Sequence, residues 1–389
     1  MPAAMEKTMD LKNLSILIVD DVKSMRSIVQ KILRNIDIGK TLHMAENGLE
    51  GLRILHSTRI DLAIVDWKMP VMNGTQLLEA IRNDKHLRDI PVLMVTGESE
   101  KEIVMEAAEI EVEGYLIKPL TPASLHDKIR TIMDHVFHPD MATIHIRNAR
   151  AFEEAGNILK AIEHMKHAAA LKPSASRILR NLGLLYQKAG DEKIMEKCLQ
   201  KAISVNHQDS VTRYLLGEHY WKNNDLISAA QCYLEVISLT QKFTDRTIQF
   251  GKVLLEKKFA RLAKNIFSKI ISISPKNIAI REKILDICIC QNELEYSKIL
   301  LKSLIRDFPS NYDLIYKAGI VYEAMDEVDQ ALEYFLVVEK NQGSRMDVKL
   351  KIAKIFYDKN KILQADNYLN MVLRKDPGNK EALALRHLL

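Results

Sequence analysis

Strong hydrophobic patterning begins at residue 14, where Leu-Ser-Ile-Leu-Ile-Val over 14–19 predicts a buried strand. Met25, Ile28, Val29, Ile32 and Leu33 follow at helical spacing and predict a helix over 22–33. The alternation recurs, with strands at 41–45, 62–65, 92–95 and 115–117 and helices near 48–56, 74–83, 99–109 and 121–136. Five nearly continuous apolar strands separated by helices predict a parallel sheet covered on both faces. Beyond His138-Pro139-Asp140 the strand pattern stops and helix follows helix.

In an open parallel sheet, ligands bind beyond the carboxyl ends of the strands. Asp20 and Asp21 end the first strand, Asp66 the third, Thr96 the fourth and Lys118 the fifth. One Asp at a strand end says little. Three acids, a hydroxyl and an ammonium gathered at one rim can handle a phosphoryl group together with a divalent cation. The bland alternative for Lys118 is a solvated surface lysine.

Asp20-Asp21, Asp66 with Met69-Pro70 and Gly74, Val95-Thr96-Gly97 and Tyr115-Leu116-Ile117-Lys118-Pro119 together resemble the receiver domain of two-component response regulators. The Met25-Arg26 and Asp66-Trp67 contexts are similar to CheY-like chemotaxis receivers, and the resemblance covers residues 13–137. It implies a flavodoxin-like α/β fold with strand order 2-1-3-4-5. It also implies that Asp66 is the phosphoacceptor, attacking a phosphohistidine of a histidine kinase. The implied cofactor is Mg²⁺ or Mn²⁺, held by Asp21 directly, Asp20 mainly through water, Asp66 and the backbone carbonyl of Lys68. By the same resemblance Lys118 and Thr96 take phosphoryl oxygens, and Lys118-Pro119 is a cis peptide. The resemblance further implies that Tyr115 turns inward when the site is phosphorylated, remodelling the face built from 99–109, 115–117 and 121–136, against the alternative of a half-buried structural tyrosine. Lys68 and Glu98 stand where acyl-phosphate lifetime is tuned, and Gly97 leaves the approach to Asp66 open.

The second region has a period. Turn-like positions recur every 34 residues at Asn157, Asp191, Asp225, Phe259, Glu293, Glu327 and Lys361. Small residues keep the same step at Ala149, Gly183, Gly217, Gly251, Gly319 and Ala353, broken by Leu285. A second small column holds Ala161, Ala229, Ala263, Ser297, Ala331 and Ala365, broken by Met195. Large residues alternate with them, and Pro173, Pro275, Pro309 and Pro377 stop the second helix of their units. This order resembles the tetratricopeptide repeat. Seven units fit within 142–379, after a 1–13 tail, a 14–137 receiver and a 138–141 linker, with 380–389 as a cap. The resemblance implies an all-α superhelix whose groove, lined by first helices, holds a protein or peptide. Helical spacing nominates Arg177, Arg180, Tyr214, Trp221, Lys222 and Lys252 for that groove, against the alternative that some of them pack between repeats.

Charge divides the chain: residues 1–140 carry net −5 and the remainder +10, spread along helix faces and not in blocks. Nucleic acid is therefore not expected among the partners. The four cysteines, Cys198, Cys232, Cys288 and Cys290, lack metal-site spacing and read as buried free thiols of a reducing compartment. No apolar run approaches the length of a bilayer span, so a cytoplasmic protein without membrane insertion is expected. The resulting expectation is a response regulator that is not an enzyme acting on a separate substrate, with protein binding by the repeats as its output. Alternatives are a phosphate sink, relay or scaffold on a shared kinase, and a transcription regulator whose repeats contact nucleic acid.

Overall fold

The computed structural model describes residues 10–97 and 112–389. Glu98 and the helix expected at 99–109 lie outside those residues. Strands β1 (Ser15–Val19), β2 (Thr41–Ala45), β3 (Leu62–Asp66), β4 (Val92–Thr96) and β5 (Gly114–Ile117) form one parallel sheet in the order β2-β1-β3-β4-β5. Alternation along each strand sends side chains to two cores. Ile16, Ile18, Ile64, Leu93 and Val95 meet helices α1 (Lys23–Asn35) and α4 (Pro122–Phe137) through Val29, Ile32, Leu33, Leu125 and Ile129. Leu17, Val19, Ala63, Val65 and Met94 meet α2 (Gly48–Ser57) and α3 (Gly74–Asn83) through Leu55, Leu77, Leu78 and Ile81. Sandwiched between helices, every residue of β3 and β4 is buried, which is why these strands read as unbroken apolar runs.

From Met141 onward the chain is helical. First and second helices alternate as α5 (Met141–Glu154), α6 (Ile158–Leu171), α7 (Ser176–Lys188), α8 (Glu192–Val205), α9 (Ser210–Lys222), α10 (Leu226–Leu239), α11 (Thr244–Glu256), α12 (Ala260–Ile273), α13 (Ile278–Cys290), α14 (Leu294–Asp307), α15 (Tyr312–Ala324), α16 (Val328–Asn341), α17 (Met346–Asp358) and α18 (Ile362–Lys375). The short α19 (Lys380–Arg386) follows. The chain forms two compact units, residues 1–215 and 216–389. Residues 138–141 are bonded into the helices on either side: His138 N donates to Asp134 O at 2.7 Å, and Asp140 caps α5 through Thr143 N at 2.8 Å.

The turns inside the helix pairs explain the 34-residue step. Left-handed backbone occurs at Gly156, Gly190, Asn224, Lys258, Asn292, Asp326 and Asn360, each 34 residues from the last. The residue after each donates its N–H five residues back, to the carbonyls of Phe152, Tyr186, Tyr220, Leu254, Cys288, Tyr322 and Phe356. This is the Schellman closure of a helix, with the left-handed residue just past the last turn. The column of turn positions seen in the sequence is therefore both the end of one helix and the cap of the next. Asn157, Asp191 and Asp225 accept backbone N–H groups there, whereas Phe259, Glu293, Glu327 and Lys361 make no side-chain cap.

Packing between paired helices follows size. A Cβ on Gly251 or Gly319 would lie 2.4 Å from the ring of Phe267 or Phe335, so glycine faces the aromatic. Where the sequence breaks the column with Leu285, the register partner is the smaller Leu301, and both are buried. Three of the cysteines pack inside or partly inside; Cys290 is exposed, correcting the expectation that all four are buried. Burial pushes the Cys288 thiol up to about 12, an inert group.

Lys258 holds a left-handed backbone (φ 65) without the local side-chain hydrogen bonding that makes this conformation tolerable for Asn or Asp. Lys258→Gly is expected to stabilise the chain by roughly 0.5–1 kcal/mol. Urea unfolding followed by circular dichroism checks this, and an unchanged or lower midpoint contradicts it.

Candidate functional site

The sheet brings the predicted rim residues together. Asp20 follows β1 and is 5% exposed, Asp66 ends β3 at 7% and Thr96 ends β4 at 4%. Lys118, just past β5, reaches across the end of β4: its Nζ lies 2.6 Å from Asp66 Oδ1 and 3.0 Å from Asp20 Oδ2. Its own N–H donates to Thr96 O at 2.7 Å, extending the β4–β5 register by one bond. The Lys118-Pro119 peptide is cis.

Charge at this rim is finely balanced. Burial pushes the Asp66 carboxyl above the usual carboxylate range; Lys118 opposes that, and Asp20 and Asp21 add to it. For Lys118, burial works against the ammonium, but the hydrogen bonds to Asp66 and Asp20 outweigh it and raise the value. Asp20 is also fixed by Val22 N, which donates to its Oδ1 at 2.9 Å. Asp21 stands exposed beside it.

Two backbone features hold Asp66 in place. Gly74 N donates to Trp67 O at 3.0 Å, and a Cβ at Gly74 would stand 2.2 Å from Asp66 O, so only glycine permits that approach. Between them the chain makes a tight turn, with Met72 N donating to Pro70 O at 2.8 Å and Val71 at φ 69. A left-handed backbone at a β-branched residue is strained, and the strain lies in the loop that follows the candidate phosphoacceptor. Among the described residues a Cβ on Gly97 would meet nothing within 4 Å.

Sequence reasoning used Arg26 only as context for the resemblance and gave it no role at the site. It is 6% exposed, donates from Nη1 to the carbonyls of Asp20 (2.7 Å) and Asp21 (3.2 Å), and pairs through Nη2 with Glu46 at 2.6 Å. It thereby anchors the acidic pair from behind. The signal was present: Arg26 precedes Val29 by three and Leu33 by seven, on the buried face of α1. Tyr115 is 40% exposed, its ring 5.7 Å from Lys128 Nζ, so the expected switch tyrosine stands outward here.

Buried carboxylates of Asp20 and Asp66 and the exposed one of Asp21 make an oxygen-only set, the donor chemistry of a hard divalent cation. Lys118 bridges the two buried members, and no three acid, histidine or cysteine side chains among the described residues are arranged to hold a metal. The Lys68 side chain is exposed, as suits a residue offering only its carbonyl.

The groove candidates separate. In the first unit, Arg177 and Tyr214 are half-buried. Arg180 is 7% exposed and donates to Asp209 Oδ1 at 2.8 Å, which removes it from the groove set: it ties α7 to the residue whose carboxylate accepts Thr212 N at the start of α9. In the second unit, Trp221 is also drawn into packing, edge-on to Phe250 at 5.1 Å and covered by the Arg246 guanidinium at 4.2 Å. That guanidinium is bidentate to Glu218 at 2.7 Å on both arms. Lys222 and Lys252 are exposed, the latter 3.7 Å from Glu256.

Residues 16–130 match the response regulator receiver domain, and 176–209 match the tetratricopeptide repeat. Over 125 residues the chain is 42% identical to the chemotaxis protein CheY-3 of Vibrio cholerae, covering 32% of this chain and 95% of that one. Over 123 residues it is 42% identical to the chemotaxis protein CheY of Pseudomonas aeruginosa, covering 32% and 98%. Among solved structures, the chemotaxis response regulator CheY4 of Vibrio cholerae is 31% identical across 31% of this chain and 98% of that one, with TM-score 0.29.

Removing Lys118 leaves two buried carboxylates without their shared cation. Lys118→Ala is expected to cost about 1–3 kcal/mol at neutral pH, a cost that shrinks as pH falls. Without the ammonium, burial raises the folded-state Asp66 carboxyl further above its unfolded value. The folded state then binds more protons as pH drops and recovers stability. Unfolding followed through Trp67 in a Trp221→Phe background reads this, since these are the two tryptophans. A deficit that stays constant or widens toward pH 5 contradicts the assignment.

Proposed function

Because this chain belongs to the response-regulator receiver family and runs on into tetratricopeptide repeats, we propose that it is a two-component response regulator whose output is phosphorylation-gated protein binding. A carboxylate oxygen of Asp66 attacks the phosphorus of a phosphohistidine on a histidine kinase. The P–N bond breaks, a P–O bond forms, and the imidazole leaves with its electron pair, giving an acyl phosphate. Such a transfer depends on positioning and charge compensation more than on covalent assistance. Lys118 follows a phosphoryl oxygen with the ammonium that now rests on Asp66, and the Thr96 hydroxyl donates to another. Asp20, Asp21, Asp66 and the Lys68 carbonyl would hold Mg²⁺ or Mn²⁺, which would supply the remaining positive charge.

The observation that carries this reading is the single ammonium of Lys118 lying on both Asp66 (2.6 Å) and Asp20 (3.0 Å), a positive charge already aimed at the acceptor carboxylate. Drawing Lys118 and Thr96 toward a phosphoryl group moves the ends of β4 and β5, and Tyr115 on β5 leaves its outward position. The repeats then bind a protein or peptide, with exposed Lys222 and Lys252 among the contacts. Among the described residues no helix is long and apolar enough to cross a membrane, and this reading sets the protein in the cytoplasm with its kinase.

A small-molecule phosphodonor with Mg²⁺ is expected to label the wild-type chain and leave Asp66→Asn unlabelled; equal labelling of that variant overturns the site. Capture from the protein's own lysate, with and without Mg²⁺ and beryllofluoride, tests the output. A partner gained or lost only by wild type with beryllofluoride, and never by Asp66→Ala, is the expected result. An unchanged partner set, or a histidine kinase alone, favours a scaffold or a phosphate sink.

A further inference from the structure

Along the 34-residue step, Arg150 on α5 stands at the position of Lys252, and Glu154 at that of Lys222. Both therefore belong to the face of the first repeat that the array would present to a partner. Within the first compact unit that face is already engaged. Arg88 Nη1 lies 2.5 Å from Glu154 Oε1, and Arg150 Nη1 lies 3.7 Å from Asp89 Oδ1. We infer that the receiver's 84–91 loop caps the groove face of the first repeat in cis, and that a partner reaches this face only when the loop leaves. The inference rests on the repeats being the output arm.

The charge order makes the contact specific. Arg88 and Asp89 are adjacent and opposite in sign, and they meet Glu154 and Arg150, which stand four apart on one helix face. Exchanging the two contacts would set Arg88 against Arg150 and Asp89 against Glu154, like charges that repel.

The loop is also braced from the receiver side. Arg82 on α3 donates Nη1 to the carbonyls of Arg88 (3.0 Å) and Ile90 (2.9 Å), and Nη2 to Glu113 Oε2 (2.7 Å). The same Glu113 oxygen accepts Val92 N at 2.8 Å, at the start of β4. Glu113 immediately precedes β5, and Lys118 immediately follows it. One strand thus links the brace of the loop to the ammonium on Asp66. The rearrangement that draws Lys118 toward a phosphoryl group has a short covalent route to the cap.

The cap is built to separate. Among the described residues Arg88 Nε is buried without a hydrogen-bond partner, a cost that release of the pair can relieve. The paired side chains keep partial exposure, 22% for Arg88 and 37% for Glu154, so water competes for both ions and salt weakens them.

Hydrogen exchange of the full-length chain, read by mass spectrometry over 84–91 and 141–154, tests the cap in wild type, Arg88→Glu, Glu154→Arg and the double reversal. Each single reversal is expected to speed exchange in both segments by about threefold or more, and the double reversal to restore protection. Either single variant suffices if the other fails to fold. Wild-type protection in the single variants, or a double reversal as open as the singles, overturns the inference. Mg²⁺ with beryllofluoride is expected to open the same segments in wild type. If the reversals behave as expected and beryllofluoride opens nothing, the cap stands and the phosphorylation-gated reading falls.

Discussion

Two carboxylates, Asp20 and Asp66, are buried at the end of the sheet and share one ammonium, that of Lys118. Burying either acid alone would drive it to protonate, and burying both side by side would be worse. The shared cation resolves this only if three separate chain segments end at the same height. The strand order does that: β1 and β3 are neighbours, and β4 sets β5 at the distance Lys118 must span. The backbone bond from Lys118 to Thr96 fixes the last step of the register. Arg26 beneath and Gly74 beside are further consequences, since neither acid can shift without breaking its backbone anchorage.

The same ammonium is why the site can change state. A group that holds two buried charges together is in tension with any third anion offered to it, and a phosphoryl group is such an anion. How far a change at the rim travels is then determined by the attachments of β5. On one side it carries Tyr115, turned outward under Lys128. On the other it is preceded by Glu113, which grips Arg82 and through it the loop that lies on the first repeat. The receiver and its first repeats form one compact unit, in keeping with a signal carried by contact instead of by a slack linker.

Much of this was legible because each rim residue ends an apolar run, and the run itself announces the strand. The repeats were legible because left-handed turns and glycine-to-aromatic packing impose a constant spacing. The groove was less so. Arg180 and Trp221 have the composition of a binding face, but whether a side chain reaches solvent depends on partners on other elements, Asp209 and Phe250, that helical spacing within one segment does not reveal. The role of Arg26 was hidden for a related reason, because an arginine between Met25 and Ser27 looks solvated until its face of the helix is worked out. The reciprocal pairing of Arg88 and Asp89 with Glu154 and Arg150 joins segments some sixty residues apart and leaves no periodic trace.

The caps of the second helices change character along the array. Asn157, Asp191 and Asp225 bond to their own helices, so those turns are stable in themselves. Glu293 and Glu327 stand at the same position but reach back to Lys264 and Lys298 of the preceding repeat, both at distances near 2.7 Å. In a linear array, stability divides into a term for each repeat and a term for each junction, and this exchange moves weight from the first to the second. The early caps are satisfied within one helix, whereas those at Glu293 and Glu327 are satisfied across a junction, so a substitution at either of the later caps touches two repeats at once.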